Sequence, residues 1–184
     1  MASRSQNVIK TERLLLHPLH IDHADAVYAL RSDPKVFYWK TPENRLESDE
    51  WLEARLVSKK ILIYIVELRA SLENEGPASH PLPEEKPRII GLTGAHTLPE
   101  IGYLFIPYSW GHGYATKALQ AWMEWYWTMW PEGHPSVDES ERGCLKAESG
   151  PDGEGSRGVL RKCGFKHTGT RGVEEVVGWV ALDC

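Results

Sequence analysis

The sequence has little of what marks a secreted, membrane-borne or metal-held chain. Only three of its 184 residues are cysteine, Cys144, Cys163 and Cys184. The count is odd and the spacing matches no common zinc pattern, so neither a disulfide framework nor a metal site is implied, and a reducing compartment fits best. The longest apolar runs, such as Ile61 to Val66, are far too short to span a bilayer. The N-terminus, Met1-Ala2-Ser3-Arg4-Ser5-Gln6-Asn7, has no apolar stretch behind its charge and so does not read as a secretory leader. A cytoplasmic chain without a membrane partner is expected. Positive charge is also in short supply: 21 Lys and Arg stand against 26 Asp and Glu, a net charge of −5, which argues against a nucleic-acid partner. No internal repeat is present.

What is present suits one well-packed domain spanning 1–184. Apolar residues make up 41% and charged residues 26%, an ordinary globular balance. Eight tryptophans are unusual, and Trp110, Trp122, Trp125 and Trp127 fall within one short stretch, with Trp130 close behind.

Glu12 to Leu19 reads as a first strand, closed by Pro18. Asp22 is a suitable N-cap for a helix carrying Ala24, Val27, Tyr28 and Leu30, which Asp33-Pro34 ends. Thr41-Pro42-Glu43 reads as the start of a second helix that runs to about residue 58. Ile61 to Leu68 is β-branched and reads as a buried strand. Residues 71–87 are turn chemistry throughout, a long exposed loop. Arg88 to Leu98 and Glu100 to Ile106 then form a hairpin around Pro99. From Gly113 to Trp130 apolar residues recur at three and four, a helix. Cys144 to Glu148 is a short strand, Ser156 to Cys163 a short helix with Gly164 past its end, and Val173 to Leu182 a last strand. The order predicts an α/β (α+β layered) domain.

The strongest local signal lies at 106–118. A strand ends, Gly111 and Gly113 alternate, Ala115 and Thr116 are small, and a long helix follows. Glycines let successive N–H groups aim at one point, and a helix start adds unpaired N–H groups and partial positive charge. The pair suits a phosphate or pyrophosphate. It is not a Walker loop, since no Gly-Lys-Ser/Thr follows, and it is a poor dinucleotide fingerprint, since Thr116 stands at the third glycine.

The run Tyr108-Ser109-Trp110-Gly111-His112-Gly113-Tyr114-Ala115-Thr116-Lys117-Ala118-Leu119 resembles the acetyl-CoA motif of the GNAT acetyltransferase superfamily. It is most similar to the branch of ribosomal-protein N-terminal (alanine) acetyltransferases, whose pattern Trp-Gly-x-Gly-Tyr-Ala-Thr-Glu-Ala-Leu it keeps except for Lys117 at the glutamate. Glu100-Ile101-Gly102-Tyr103, Ser156 to Phe165, Thr11 to Leu16 and Asp33-Pro34 resemble further family segments, in the right order. The resemblance implies a mixed, mostly antiparallel sheet with a splayed parallel strand pair and helices on both faces. It implies acetyl-CoA as co-substrate and no metal. The pantetheine arm is expected along 103–106, with Leu104, Phe105 and Ile106 as contacts, and the pyrophosphate on Gly111, His112, Gly113, Tyr114, Ala115 and Thr116. The reaction implied is direct attack of a primary amine, a protein N-terminus or a small molecule, on the thioester, by a monomer or homodimer.

Ser156 is expected near the leaving sulfur and the cofactor, and Tyr38 and Trp39 at the acceptor. Base candidates are Glu100, His96, and Glu174 or Glu175. Two departures matter. The family asparagine is Gly153 here, and the family's acidic tyrosine is Leu160. Both keep open an alternative, a non-catalytic acyl-CoA-binding or sensor domain. Trp122, Trp125 and Tyr126 are expected in the core, and Cys163 as a small buried residue.

Overall fold

Alternating apolar residues along strands and a three-and-four stripe along helices combine into one sheet covered on both faces. In a computed structural model, residues 8–36, 42, 44–58, 60–69, 88–150, 153–171 and 176–181 are described. The expected loop at 71–87, and Tyr38, Trp39, Glu174 and Glu175, lie outside them. The strands are β1 (Ile9–Lys10), β2 (Leu14–Pro18), β3 (Leu62–Leu68), β4 (Ile89–Thr97), β5 (Glu100–Phe105), β6 (Leu145–Ser149), β7 (Phe165–Arg171) and β8 (Val176–Ala181). The helices are α1 (Ala24–Ser32), α2 (Arg45–Val57), α3 (Tyr114–Met129) and α4 (Glu154–Lys162). The sheet runs β1-β2-β3-β4-β5-β6-β8-β7, and every pairing is antiparallel except β5 with β6.

Side-chain alternation sends Leu14, Leu16, Tyr64, Val66, Ile101 and Phe105 to one face, where α3 supplies Leu119, Trp122 and Tyr126. Ile63, Ile65 and Leu92 go to the other, under Val27 and Leu30 of α1 and Leu52 of α2. Trp122 stacks on Tyr126 at 5.3 Å and donates its indole N–H to the Leu62 carbonyl at 3.1 Å. Trp122 and Tyr126 are therefore core, as expected, with Trp125 partly buried against them, and the buried Trp122 indole N–H has a partner.

Several local expectations are corrected. Asp22 does not cap α1: the chain enters through a 3₁₀ turn at Ile21–His23, where His20 accepts from the Asp22 N–H and His23 accepts from the His20 N–H. α2 starts at Arg45, because the Asn44 side chain accepts the Glu47 N–H at 3.1 Å and provides the cap. β1 and β7 were not expected. β7 is an edge strand, and of its side chains only Phe165 is buried among those described, so it carries no apolar alternation to read. The last strand is described over Val176–Ala181, and its expected start at Val173 lies outside the described residues. Cys163 is a free thiol, whereas Cys144 is disulfide-bonded, against the expectation of no disulfide framework; spacing alone does not show pairing.

One irregularity interrupts the sheet at its centre. β5 pairs with β4 along its length, from Thr97↔Glu100 to Gly91↔Phe105. With β6 it pairs only at Glu100↔Lys146 and Ile101↔Ala147. Beyond Ile101 the two parallel strands no longer pair, and the middle of the sheet is open.

Candidate active site

The open side of β5 carries backbone groups with definite directions. The Ile106 N–H donates to Ile90 of β4 at 3.0 Å, and the Pro99 carbonyl accepts from Lys146 of β6 at 3.0 Å. Strand alternation then directs the backbone groups of Tyr103 and Phe105 away from β4, into the gap. The Phe105 carbonyl is taken by the Trp110 indole N–H at 2.6 Å. What remains open is the Tyr103 N–H and C=O and the Phe105 N–H. Ile106 spends its carbonyl on Ser109, whose N–H and hydroxyl donate to it at 3.0 and 2.7 Å, and Leu104 turns its backbone toward β4. Of the three expected arm contacts, only Phe105 has a backbone group facing the gap.

At the gap's far end the chain turns into α3. Gly111 and Gly113 both sit at φ +77°, the left-handed region that favours glycine. Gly113 is the N-cap of α3 and offers no side-chain cap. The first bond of the helix is Lys117 N–H to the Gly113 carbonyl at 3.0 Å, so the N–H groups of Tyr114, Ala115 and Thr116 precede any intrahelical acceptor. A Cβ built on Gly111 would meet nothing within 4 Å, so a ligand can approach the backbone there. Of the six expected pyrophosphate residues, Tyr114, Ala115 and Thr116 thus present a row of N–H donors at a helix start, with Gly111 and Gly113 shaping the turn before it.

Arg13, from the segment leading into β2, reaches this turn. Its Nη2 donates to the His112 carbonyl at 3.0 Å, and its guanidinium lies 4.8 Å from the Tyr114 ring centroid. His112 stacks on the same ring at 5.6 Å. At the end of α4 the Cys163 thiol donates to the Thr116 carbonyl at 3.7 Å, and burial pushes its pKa up to about 11, which makes it an inert tie between helices.

Two groups of reactive side chains flank the opposite end of the gap, one on each face. On the face of α1 and α2, His96 Nε2 lies 3.4 Å from Glu100 Oε2, both half-exposed. A Cβ on Gly102 would stand 3.6 Å from His96 Nδ1, so the imidazole hangs beside the strand at the mouth of the gap. Burial holds the His96 pKa below the ordinary histidine value; Glu100 pulls it up and Arg55 adds to the lowering. On the face of α3 and α4, the Tyr103 hydroxyl donates to the Ser156 carbonyl at 2.9 Å and lies 2.7 Å from Ser156 Oγ. Burial raises the Tyr103 pKa, so the phenol stays protonated.

Gly153 is the N-cap of α4 without a side-chain bond, and Leu160 is fully buried in the core, where it cannot reach a sulfur in the gap. Sequence reasoning missed the roles of Arg13 and Tyr103 in this geometry. Both act across long separations, and the only signal was that each lies in a segment with family resemblance. Among the described residues no group of three or more His, Cys, Asp or Glu is placed to hold a metal ion, and no helix is long and apolar enough to cross a membrane.

Comparison with known proteins agrees with this architecture. No curated protein matches the chain in sequence. An acetyltransferase from Agrobacterium tumefaciens shares the fold at 18% identity and a TM-score of 0.69, over 100% of this chain and 98% of that one. A candidate ribosomal-protein-serine acetyltransferase from Vibrio cholerae does so at 16% identity and 0.67, over 98% and 100%. The microcin C7 self-immunity acetyltransferase MccE, solved with acetyl-CoA and AMP, does so at 15% and 0.65, over 94% of each chain. The family pattern of the acetyltransferase (GNAT) domain matches residues 13–166, from the arginine that reaches the glycine turn to the strand after α4, so the chain belongs to the GNAT acetyltransferase family, which uses acetyl-CoA as co-substrate.

Proposed function

We propose that the protein acetylates a primary amine, with the pantetheine arm in the β5–β6 gap and the pyrophosphate on the turn at 111–116. The observation that carries this is the placement of the two reactive groups on opposite faces at one end of the gap. Bound acetyl-CoA supplies a thioester carbonyl; the amine forms the new N–C bond and the C–S bond breaks. On the α1–α2 face, neutral His96, with Glu100 behind it, accepts the proton that the attacking amine must lose. On the α3–α4 face, Tyr103 gives its one proton to the Ser156 carbonyl and accepts from Ser156 Oγ, whose hydroxyl turns to give its proton to the leaving thiolate. The open N–H groups of Tyr103 and Phe105 bind the arm amides. The acceptor end, including Tyr38, Trp39 and Glu174, completes the site in this reading.

The match at 110–119 to the N-terminal acetyltransferase branch favours a protein N-terminus over a small amine. We place the reaction in the cytoplasm, in a single domain acting as a monomer or homodimer. Gly153 and the buried Leu160 favour a second reading, an acyl-CoA-binding domain that does not turn over. Thiol release separates the two. Protein, acetyl-CoA and a panel of peptides and small amines are mixed, and free CoA is followed. Saturable release with one amine class supports catalysis. Tight CoA binding with no release against any amine overturns it in favour of the second reading.

A further inference from the structure

We infer that Arg13 is part of the co-substrate site, holding the turn in shape and supplying the cation that faces the pyrophosphate. The inference rests on the reading of that turn as the acetyl-CoA site. Three contacts on separate groups carry it. The guanidinium donates to the His112 carbonyl, between the two left-handed glycines. It lies over the Tyr114 ring, in the first turn of α3. It comes within 3.9 Å of where a Cβ on Gly113 would stand, at the N-cap of α3 just before the donors of Tyr114, Ala115 and Thr116.

Charge accounting points the same way. Among the described residues Arg13 has no carboxylate within ion-pair distance, as is also true of Arg55, Arg69 and Arg142, whereas Arg88, Arg157 and Arg161 each have one and Arg45 has two. The first turn of α3 contains no acid that would neutralise it. One N–H of the fork is spent on His112, and its charge remains free beside donors that already favour an anion. Arginine suits this double task. A planar fork can bond a carbonyl with one edge and a phosphate oxygen with another, while stacking its face on an aromatic ring. The contact also spans the molecule: it ties the N-terminal strand segment to the helix start 99 positions later. Closure of the turn thereby depends on β2 being docked.

The test uses the whole protein and CoA itself, without an acceptor. Arg13→Gln keeps an N–H donor for the His112 carbonyl and removes the charge; Arg13→Lys keeps a charge and loses the fork. Calorimetry should show CoA bound about 10-fold or more weaker by Arg13→Gln, the effect of losing one charge-assisted contact, with Arg13→Lys in between. Affinity should fall less steeply with NaCl for Arg13→Gln than for wild type, since one ionic contact fewer is screened. Thermal unfolding of both variants controls for the fold. Equal CoA affinity and equal salt dependence in wild type and Arg13→Gln would overturn the role of Arg13 alone. Failure of the wild type to bind CoA would overturn the underlying reading of the turn.

Discussion

Tyr103 on β5 reaches across the open sheet to Ser156 at the start of α4, with its hydroxyl 2.7 Å from Ser156 Oγ. The bond joins β5, the strand proposed to meet the pantetheine arm, to α4, the helix proposed to stand over the sulfur. Tyr103→Phe should cost about 1 kcal/mol of stability, one typical hydrogen bond, readable in denaturant unfolding. Turnover should fall several-fold with CoA affinity nearly unchanged. Ser156→Ala should have a similar effect, and the double variant should be little worse than either single one. Fully additive losses would show that the two residues act separately.

Gly113→Asp should abolish measurable CoA binding in calorimetry. It places a carboxylate where the N–H row favours an anion and forces a side chain into φ +77°. Gly113→Ala carries only the conformational penalty, about 1–2 kcal/mol of stability, and should keep binding within about 10-fold. Unchanged affinity in the aspartate variant would place the pyrophosphate elsewhere.

The rate should depend on pH through His96. Its pKa lies below the ordinary histidine value, so the imidazole is neutral at pH 7 and already able to take a proton. In the acceptor assay, kcat/KM should rise with pH along a limb centred below about 6.5, and His96→Gln should remove that limb. The same lowering has a sign for stability. A depressed folded pKa contributes stability above the unfolded value, and that contribution disappears as pH falls through the folded value. Wild type should therefore lose more stability than His96→Gln between pH 7 and 5.

Trp122→Phe tests the helix–sheet contact that holds α3 in place. The indole is fully buried and bonds the Leu62 carbonyl. Removing it loses that bond and leaves a small void, together about 2–4 kcal/mol. A loss under about 1 kcal/mol in chemical denaturation would show that the site relaxes or admits water.

The parts of this fold that repeat or punctuate were readable from residues alone. The stripe Ala118, Leu119, Trp122, Tyr126 announced α3, and two glycines before it announced a turn with donors. The hairpin around Pro99 and the strand at 61–68 were equally plain, because they are apolar on a buried sheet. β7 was not, since it runs Phe165-Lys166-His167-Thr168-Gly169-Thr170-Arg171 along an edge and buries so little that no alternation survives. Asp22 and Thr41 misled because several residues near a helix start can cap it: His20 caps the 3₁₀ turn that leads into α1, and Asn44 caps α2. The site was readable in its backbone half and hidden in its side-chain half. Arg13 with His112 and Tyr103 with Ser156 are 99 and 53 positions apart, and no local pattern records such meetings.

A sheet normally keeps its unpaired edges at the rim. This one keeps an edge in its centre, where β5 and β6 part after Ile101. The two-residue seam at Glu100–Ile101 is then the sheet's one lateral weld between a five-stranded block and a three-stranded block. An arm seated in the gap acts as a removable strand that extends the weld. Amide exchange at Tyr103 and Phe105 should slow when CoA binds, and the two blocks should unfold as one unit in its presence and less cooperatively without it.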